Sequence, residues 1–236
     1  MEILETILSP LIYVLEVVLE FFQGLSGSYG LAIILLSVFV AIITYPLAIR
    51  AQKIELKDKL QHQAMAPKLH YAKSNFKGER QFNEIEKIYK KHNYHPIKSV
   101  KSAAGFVLQL PFLLSCLFLL WDYQPLAGRS FLFLADLSQP DGIFLVGSTA
   151  INILPLVMVA ITLCETAIKP ELTLMGRVKF SIITMVILAM IYSLPSGVVL
   201  YWTSTNTISL ARTFLRRLVR SDTELSLRIN QVTHGR

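Results

Sequence analysis

The hydrophobic pattern along this chain is one of long runs rather than alternation. From Tyr29 to Arg50 (YGLAIILLSVFVAIITYPLAIR), about twenty apolar positions follow one another and end at an arginine. At 1.5 Å rise per residue such a run spans roughly 30 Å, one bilayer core. Further runs lie at about 104–121, 147–167 and 180–211. The last is too long for one ordinary span, and Leu194-Pro195-Ser196-Gly197 in its middle is turn chemistry. It therefore reads as two short helices, 177–194 and 197–215, joined by a tight turn. Backbone that crosses lipid must satisfy its hydrogen bonds internally, so runs of this kind predict spanning α-helices. A β-barrel would alternate in short segments. The expected fold class is an all-α polytopic membrane protein with a five-helix transmembrane core.

Two segments have a different pattern. In residues 2–23, Glu2, Glu5, Ser9, Glu16, Glu20 and Gln23 fall within about 60° of one another on a helical wheel, and the rest is Ile, Leu, Val and Phe. Such a helix suits the plane of a membrane interface better than a span; 1–28 reads as an external amphipathic helix ending in the flexible turn GLSGS. Residues 51–103 are polar and basic. Lys53 to Asn75 is rich in helix formers, with Pro67 placed to kink or break it. Lys77-Gly78 signals a turn, and Phe82, Ile85, Ile88 and Tyr89 then recur at helical spacing. This predicts a cytoplasmic helical hairpin.

Charge orients the pattern. The chain has 236 residues and a net charge of +7, unevenly spread. Residues 1–28 hold four glutamates and no Lys or Arg; 51–103 hold twelve Lys or Arg against five acids. Residues 122–147 hold Arg129 against Asp122, Asp136 and Asp141, and the tail from Arg212 holds six Arg against two acids. Basic and acidic stretches thus alternate across the apolar runs. The positive-inside rule places 1–28, 122–146 and the Pro195 turn outside, and 51–103, the link 168–176 and the tail 216–236 in the cytoplasm. The expected location is a bacterial inner membrane, with the N-terminus outside. The first residues do not read as an ordinary cleaved leader, because they lack a basic region and carry glutamates.

Other chemistry finds little support. Cys116 and Cys164 lie in apolar runs and read as small core residues rather than a disulfide framework. His92-x-x-His95 lacks further ligands, and no phosphate loop or nucleophile elbow appears. No enzyme activity, metal or cofactor is expected. Glu165 reads as an interfacial carboxylate beside Lys169; the alternative is a proton relay.

Tyr45-Pro46-Leu47, Met65-Ala66-Pro67-Lys68-Leu69 and Ile88-Tyr89-Lys90-Lys91-His92 are similar to the YPL, QPK and LYK stretches of the YidC/Oxa1/Alb3 family of membrane protein insertases, and the resemblance runs from about Tyr29 to Phe214. Gln109-Leu110-Pro111-Phe112 resembles its second span. Asp136-Leu137-Ser138-Gln139-Pro140-Asp141 resembles its external loop, and Leu194 to Trp202, with Asn206, its final span. The resemblance implies five helices around a polar groove open to cytoplasm and lipid, through which hydrophobic client helices enter. It implies nascent membrane proteins as clients, contact with anionic lipids, and work with ribosomes, alone or beside the Sec translocon. No nucleotide or metal is implied.

The chain also departs from the family. Members commonly carry a groove arginine shortly before YPL; counting back from Tyr45, that place is Ala41, and FVAIITYPL has no charge. Arg50 is nine residues on, roughly 13 Å along the axis and on the opposite face. It reads as an anchor at the cytoplasmic edge. The remaining candidates for a client-binding groove are Ser37, Ala41 and Thr44 on one face of the first span, Gln109 in the second, and Thr203 and Asn206 in the fifth. Ordinary interhelical hydrogen bonding is the competing role for the polar members. The family's Gly-Cys-x-Pro and large external domain are not seen, so a minimal, divergent member is expected. A paralogue dedicated to one membrane complex is the first alternative, and a small transporter using Glu165 the second.

Overall fold

The computed structural model describes residues 2–92, 94, 104–146, 149–169 and 174–234. The fold is helical, with helices α1 Glu2–Ser26, α2 Tyr29–Asn75, α3 Gly78–Lys91, α4 Ala104–Trp121, α5 Ile153–Ile168, α6 Leu174–Ile191 and α7 Ser196–His234. A two-stranded antiparallel hairpin pairs β1 (Phe144–Val146) with β2 (Thr149–Ile151), and Gln124–Leu126 forms one turn of 3-10 helix. The chain divides into two compact units, Met1–Ala41 with Leu113–Arg236, and Ile42–Phe112.

In the first unit, α1 carries three faces. Leu8, Leu15 and Leu19 are buried against the fold, while Ile3, Ile7, Val14, Phe21 and Leu25 are exposed. The carboxylate stripe falls between these two faces, as 100° per residue requires. Phe22 packs edge-on to Phe39 of α2, and Tyr123 donates its hydroxyl proton to Glu20.

The segment between α4 and α5 is a clamp. Asp136 accepts from the Ser138 amide and hydroxyl, both at 2.8 Å, closing a local turn. The carbonyls of Leu137 and Gln139 then accept the Gly197 and Ser196 amides, each at 2.8 Å. These bonds pin the start of α7, where the first amides of a helix lack internal partners. A Cβ on Gly197 would lie 3.1 Å from the Leu137 oxygen, so the close approach favours glycine. Asp141 Oδ2 accepts the amides of Ile153 and Leu154, each at 2.7 Å, and caps α5 from a distance. Asn152 joins the two ends: its Oδ1 accepts from Gly142, and its Nδ2 donates to the Tyr192 carbonyl at 2.7 Å.

This clamp corrects the expected start of the third run at 147. Residues 149–151 are strand, and the helix begins at Ile153. Asp141 supplies the signal that stops the strand and starts the helix, and it lies twelve residues from Ile153. The fourth run is helical over Leu174–Ile191 rather than 177–194, and the fifth runs on from Ser196 to His234 rather than ending at 215. Cys116 is buried as expected, but Cys164 is exposed on α5.

In the second unit, α2 continues to Asn75 with Pro46 and Pro67 inside it. Of the kink or break expected at Pro67, the break does not occur. A mid-helix proline costs about 3 kcal/mol, whereas fully burying a Met or Leu side chain is worth roughly 1.5–3 kcal/mol each. Met65 and Leu69 flank Pro67 and form a core with Tyr94, against which Ile85, Ile88 and Tyr89 of α3 pack. A break would separate those two anchors. Phe82, counted in the expected stripe, is instead exposed. Gly78 turns the chain into α3 at φ 60°, a conformation that glycine adopts without strain.

Two described helices are long and apolar enough to cross a bilayer by length and composition: Tyr29–Ala51, 23 residues, and Leu174–Ile191, 18 residues. Leu110–Trp121 and Ile153–Ile168 are shorter apolar helices.

Candidate functional site

The candidate residues have distinct surroundings. Ser37 is fully buried, and its hydroxyl donates to the Ile34 carbonyl of its own helix at 2.7 Å. Ala41 is half-buried at the end of the first unit's portion of α2. Thr203 is buried, and its hydroxyl donates to the Val199 carbonyl at 2.7 Å. Asn206 reaches another helix: its Nδ2 donates to Thr162 Oγ1 of α5 at 2.9 Å. Thr44 is half-buried in the second unit. Gln109 falls within α4, but its side chain lies outside the described residues.

The structure adds a polar seam that runs between α5 and α7. Below the Asn206–Thr162 bond, Glu165 Oε1 accepts from Ser209 Oγ at 2.8 Å and Thr213 Oγ1 at 3.1 Å. Lys169 Nζ pairs with the same oxygen at 2.9 Å. The Glu165 side chain is 9% exposed, so this cation and two hydroxyls replace most of its hydration. Asn206 and Thr162 are 44 residues apart, as are Ser209 and Glu165. A constant offset means that α5 and α7 run parallel. The spacing 162, 165, 169 on one helix matches 206, 209, 213 on the other, the three-and-four rhythm of a helix face. Sequence reasoning found Glu165 beside Lys169 but missed Ser209 and Thr213, because each is one hydroxyl in a mixed stripe with no local partner.

Tyr201 of α7 and Cys116 of α4 are both buried. Outside the apolar runs, Tyr123 is held above the ordinary tyrosine range by burial and by the neighbouring Glu20. Burial alone would raise the Asp136 carboxyl, but the Ser138 amide and hydroxyl and the Gly128 amide outweigh it and hold it below the carboxylate range. Among the described residues, no group of three metal-ligating side chains occurs.

The family described as 60Kd inner membrane protein matches the chain over residues 21–222. The chain belongs to this family, the YidC/Oxa1 family. The membrane protein insertase YidC of Helicobacter pylori is 29% identical over 198 residues, covering 82% of this chain and 34% of that protein. That of Marinobacter nauticus is 28% identical over 219 residues, covering 91% and 35%. The chain thus spans about a third of the length of the curated relatives it matches. A solved structure, an active YidC insertase crystal structure with the first transmembrane domain resolved, shares the fold with a TM-score of 0.57 at 21% identity, over 89% of this chain and 46% of that one.

Within this YidC/Oxa1 family member, the family-like motifs have structural positions. Tyr45-Pro46-Leu47 lies inside α2. The Asp136–Asp141 loop binds the Pro195-Ser196-Gly197 turn, so two motifs distant in sequence form one clamp. From Tyr29 to Ile49, α2 contains no charged residue, and Arg50 is exposed.

Proposed function

We propose that this protein is a membrane protein insertase or membrane chaperone of a bacterial inner membrane. It accepts nascent hydrophobic helices from the cytoplasmic side. The family match over residues 21–222 carries this reading. Five apolar runs form the membrane core, α1 lies in the outer interface, and the basic hairpin of 51–103 lies in the cytoplasm with the basic tail. The exposed apolar faces of α1 and α6 support contact with lipid. The client's polar tail passes a groove that includes Ser37, Ala41, Thr203 and Asn206, without a groove arginine. Anionic lipids, and ribosomes or the Sec translocon, are the partners this reading entails.

A wet, partly crossing groove shortens the dry distance over which polar groups lose hydration, so no covalent step or cofactor is required. The Glu165–Lys169 pair supports a fixed carboxylate, not a transporter's relay.

The uncharged stretch around Ala41 favours a second reading, a paralogue that assembles one partner complex. One complementation experiment tests both. In cells depleted of their general insertase, the wild-type chain restores insertion of single-span clients with short translocated tails if it is a general insertase. Failure of the wild type with rescue by Ala41→Arg identifies the dedicated paralogue. Failure of both, with the protein present in the membrane, removes the insertase reading.

A further inference from the structure

The external segment contains a turn whose composition is wrong for water. Phe131 and Leu134 exchange both backbone hydrogen bonds at 2.9 Å, leaving Leu132 and Phe133 at the tip. Leu132 has φ 53°, the left-handed region. Tips of this geometry normally carry Gly, Asn or Asp, which tolerate that backbone and hydrogen-bond to solvent. Here the position holds a leucine that is 81% exposed, followed by a phenylalanine 57% exposed. Leu134 beside them is buried, so the turn is fixed to the fold and its tip projects.

The depth of the tip follows from what Phe131 touches. A Cβ on Gly30 would lie 1.9 Å from Phe131 Cγ, so the ring sits directly on the Gly30 backbone. Gly30 is the second residue of the apolar helix Tyr29–Ala51. Leu132 and Phe133 therefore leave the fold within a turn of where that span begins. Other exposed apolar and aromatic side chains lie at this end: Phe21 and Leu25 of α1, and Trp121 at the end of α4. Tyr29 and Tyr123 tie these elements together, with ring centroids 6.2 Å apart. Aromatic and apolar groups at the end of a span are what the boundary between headgroups and acyl chains selects.

We propose that the Phe131–Leu134 turn is a membrane wedge, placing Leu132 and Phe133 among the acyl chains of the outer leaflet. The occupant is lipid. The remaining charges of this segment, Asp122, Arg129, Asp136 and Asp141, stay in the headgroup and water layers. The wedge sets the depth of the Asp136–Asp141 clamp, and through it of the α7 start. The inference rests on the membrane-spanning reading above.

The test uses the full chain in vesicles of phosphatidylethanolamine and phosphatidylglycerol, with or without bromine on the acyl chains near the headgroup. Phe133→Trp is made in a Trp121→Phe, Trp202→Phe background, and Met190→Trp, exposed near the outer end of α6, is the control. Bromine should at least halve the emission of both, and Phe133→Trp should emit to the blue of a water-exposed indole. Quenching of the α6 control alone overturns the wedge and leaves the spanning reading standing. Quenching of neither overturns both. Should the tryptophan-free background fail to fold by circular dichroism, a nitroxide on Leu132→Cys in a Cys164→Ser background replaces it. Relaxation by oxygen exceeding that by a water-soluble nickel chelate supports the wedge, and the reverse order overturns it. Disulfide-linked dimers through Leu132→Cys without lipid contact assign the tip to a second copy and also overturn it.

Discussion

Glu165 gathers a lysine and two hydroxyls on one oxygen between α5 and α7. Its partners are not equivalent. A hydroxyl hydrogen bond between helices in a membrane is worth roughly 0.6–1 kcal/mol. Ser209→Ala with Thr213→Val should therefore lower the thermal midpoint in detergent by a few degrees. Lys169→Met leaves the carboxylate without its cation. Removing one partner of a buried pair costs about 3–5 kcal/mol; the 36% exposure of Lys169 puts the effect below that range but above the double hydroxyl variant. Adding Glu165→Gln to Lys169→Met should recover most of the loss, because the amide oxygen still accepts from the hydroxyls and no charge remains. A Lys169→Met midpoint equal to wild type would refute the pairing. The sequence shows the Glu165–Lys169 spacing plainly. It cannot show Ser209 and Thr213, since two hydroxyls on a mixed face become partners only when the helices dock in parallel.

At the scale of elements, the apolar runs of α4, α6 and α7 are legible because length and hydrophobicity act locally, and the Pro195 turn is legible because proline and glycine set backbone angles directly. The clamp and the long α2 are not. The start of α5 depends on Asp141, which precedes a strand pair. The continuity of α2 through Pro67 depends on Tyr94 and α3 holding Met65 and Leu69 together. The clamp also has a pH signature. Asp136 is depressed in the folded state, so its contribution is present above the unfolded carboxylate pKa of about 4 and lost as pH falls through the lower folded value. Below pH 4 the thermal midpoint of the wild type should fall more steeply than that of Asp136→Asn, whose amide does not titrate. Parallel acid limbs for the two proteins would remove Asp136 from the clamp's energetics. The Ser196 and Gly197 bonds to the loop carbonyls persist in either case, since backbone carbonyls do not titrate in this range.

For the molecule as a whole, the decisive feature is where apolar surface is left uncovered. α6 buries Thr184 and Ile191 and exposes Val178, Ile182, Met185, Val186 and Met190. At 100° per residue those five fall within about 140° of one another and make one outward stripe over about three turns. Soluble monomers rarely leave so large a contiguous apolar surface to water. In a bilayer the same stripe is the favourable arrangement, with Thr184 on the buried face and its hydroxyl bonded to the Phe180 carbonyl. One substitution separates the two environments. In water, a lysine at exposed Val186 would shift stability by no more than about 0.5 kcal/mol. At the middle of a spanning helix it costs about 2.5–3.5 kcal/mol on insertion scales, partly relieved by reaching toward the headgroups. Val186→Lys should therefore reduce the alkali-resistant membrane fraction severalfold, while Val186→Leu leaves it unchanged. Lysine at exposed Tyr71 on the hairpin, which this reading places in the cytoplasm, should also be neutral. If Val186→Lys integrates as well as wild type, α6 does not face lipid, and the stripe must be covered by protein instead.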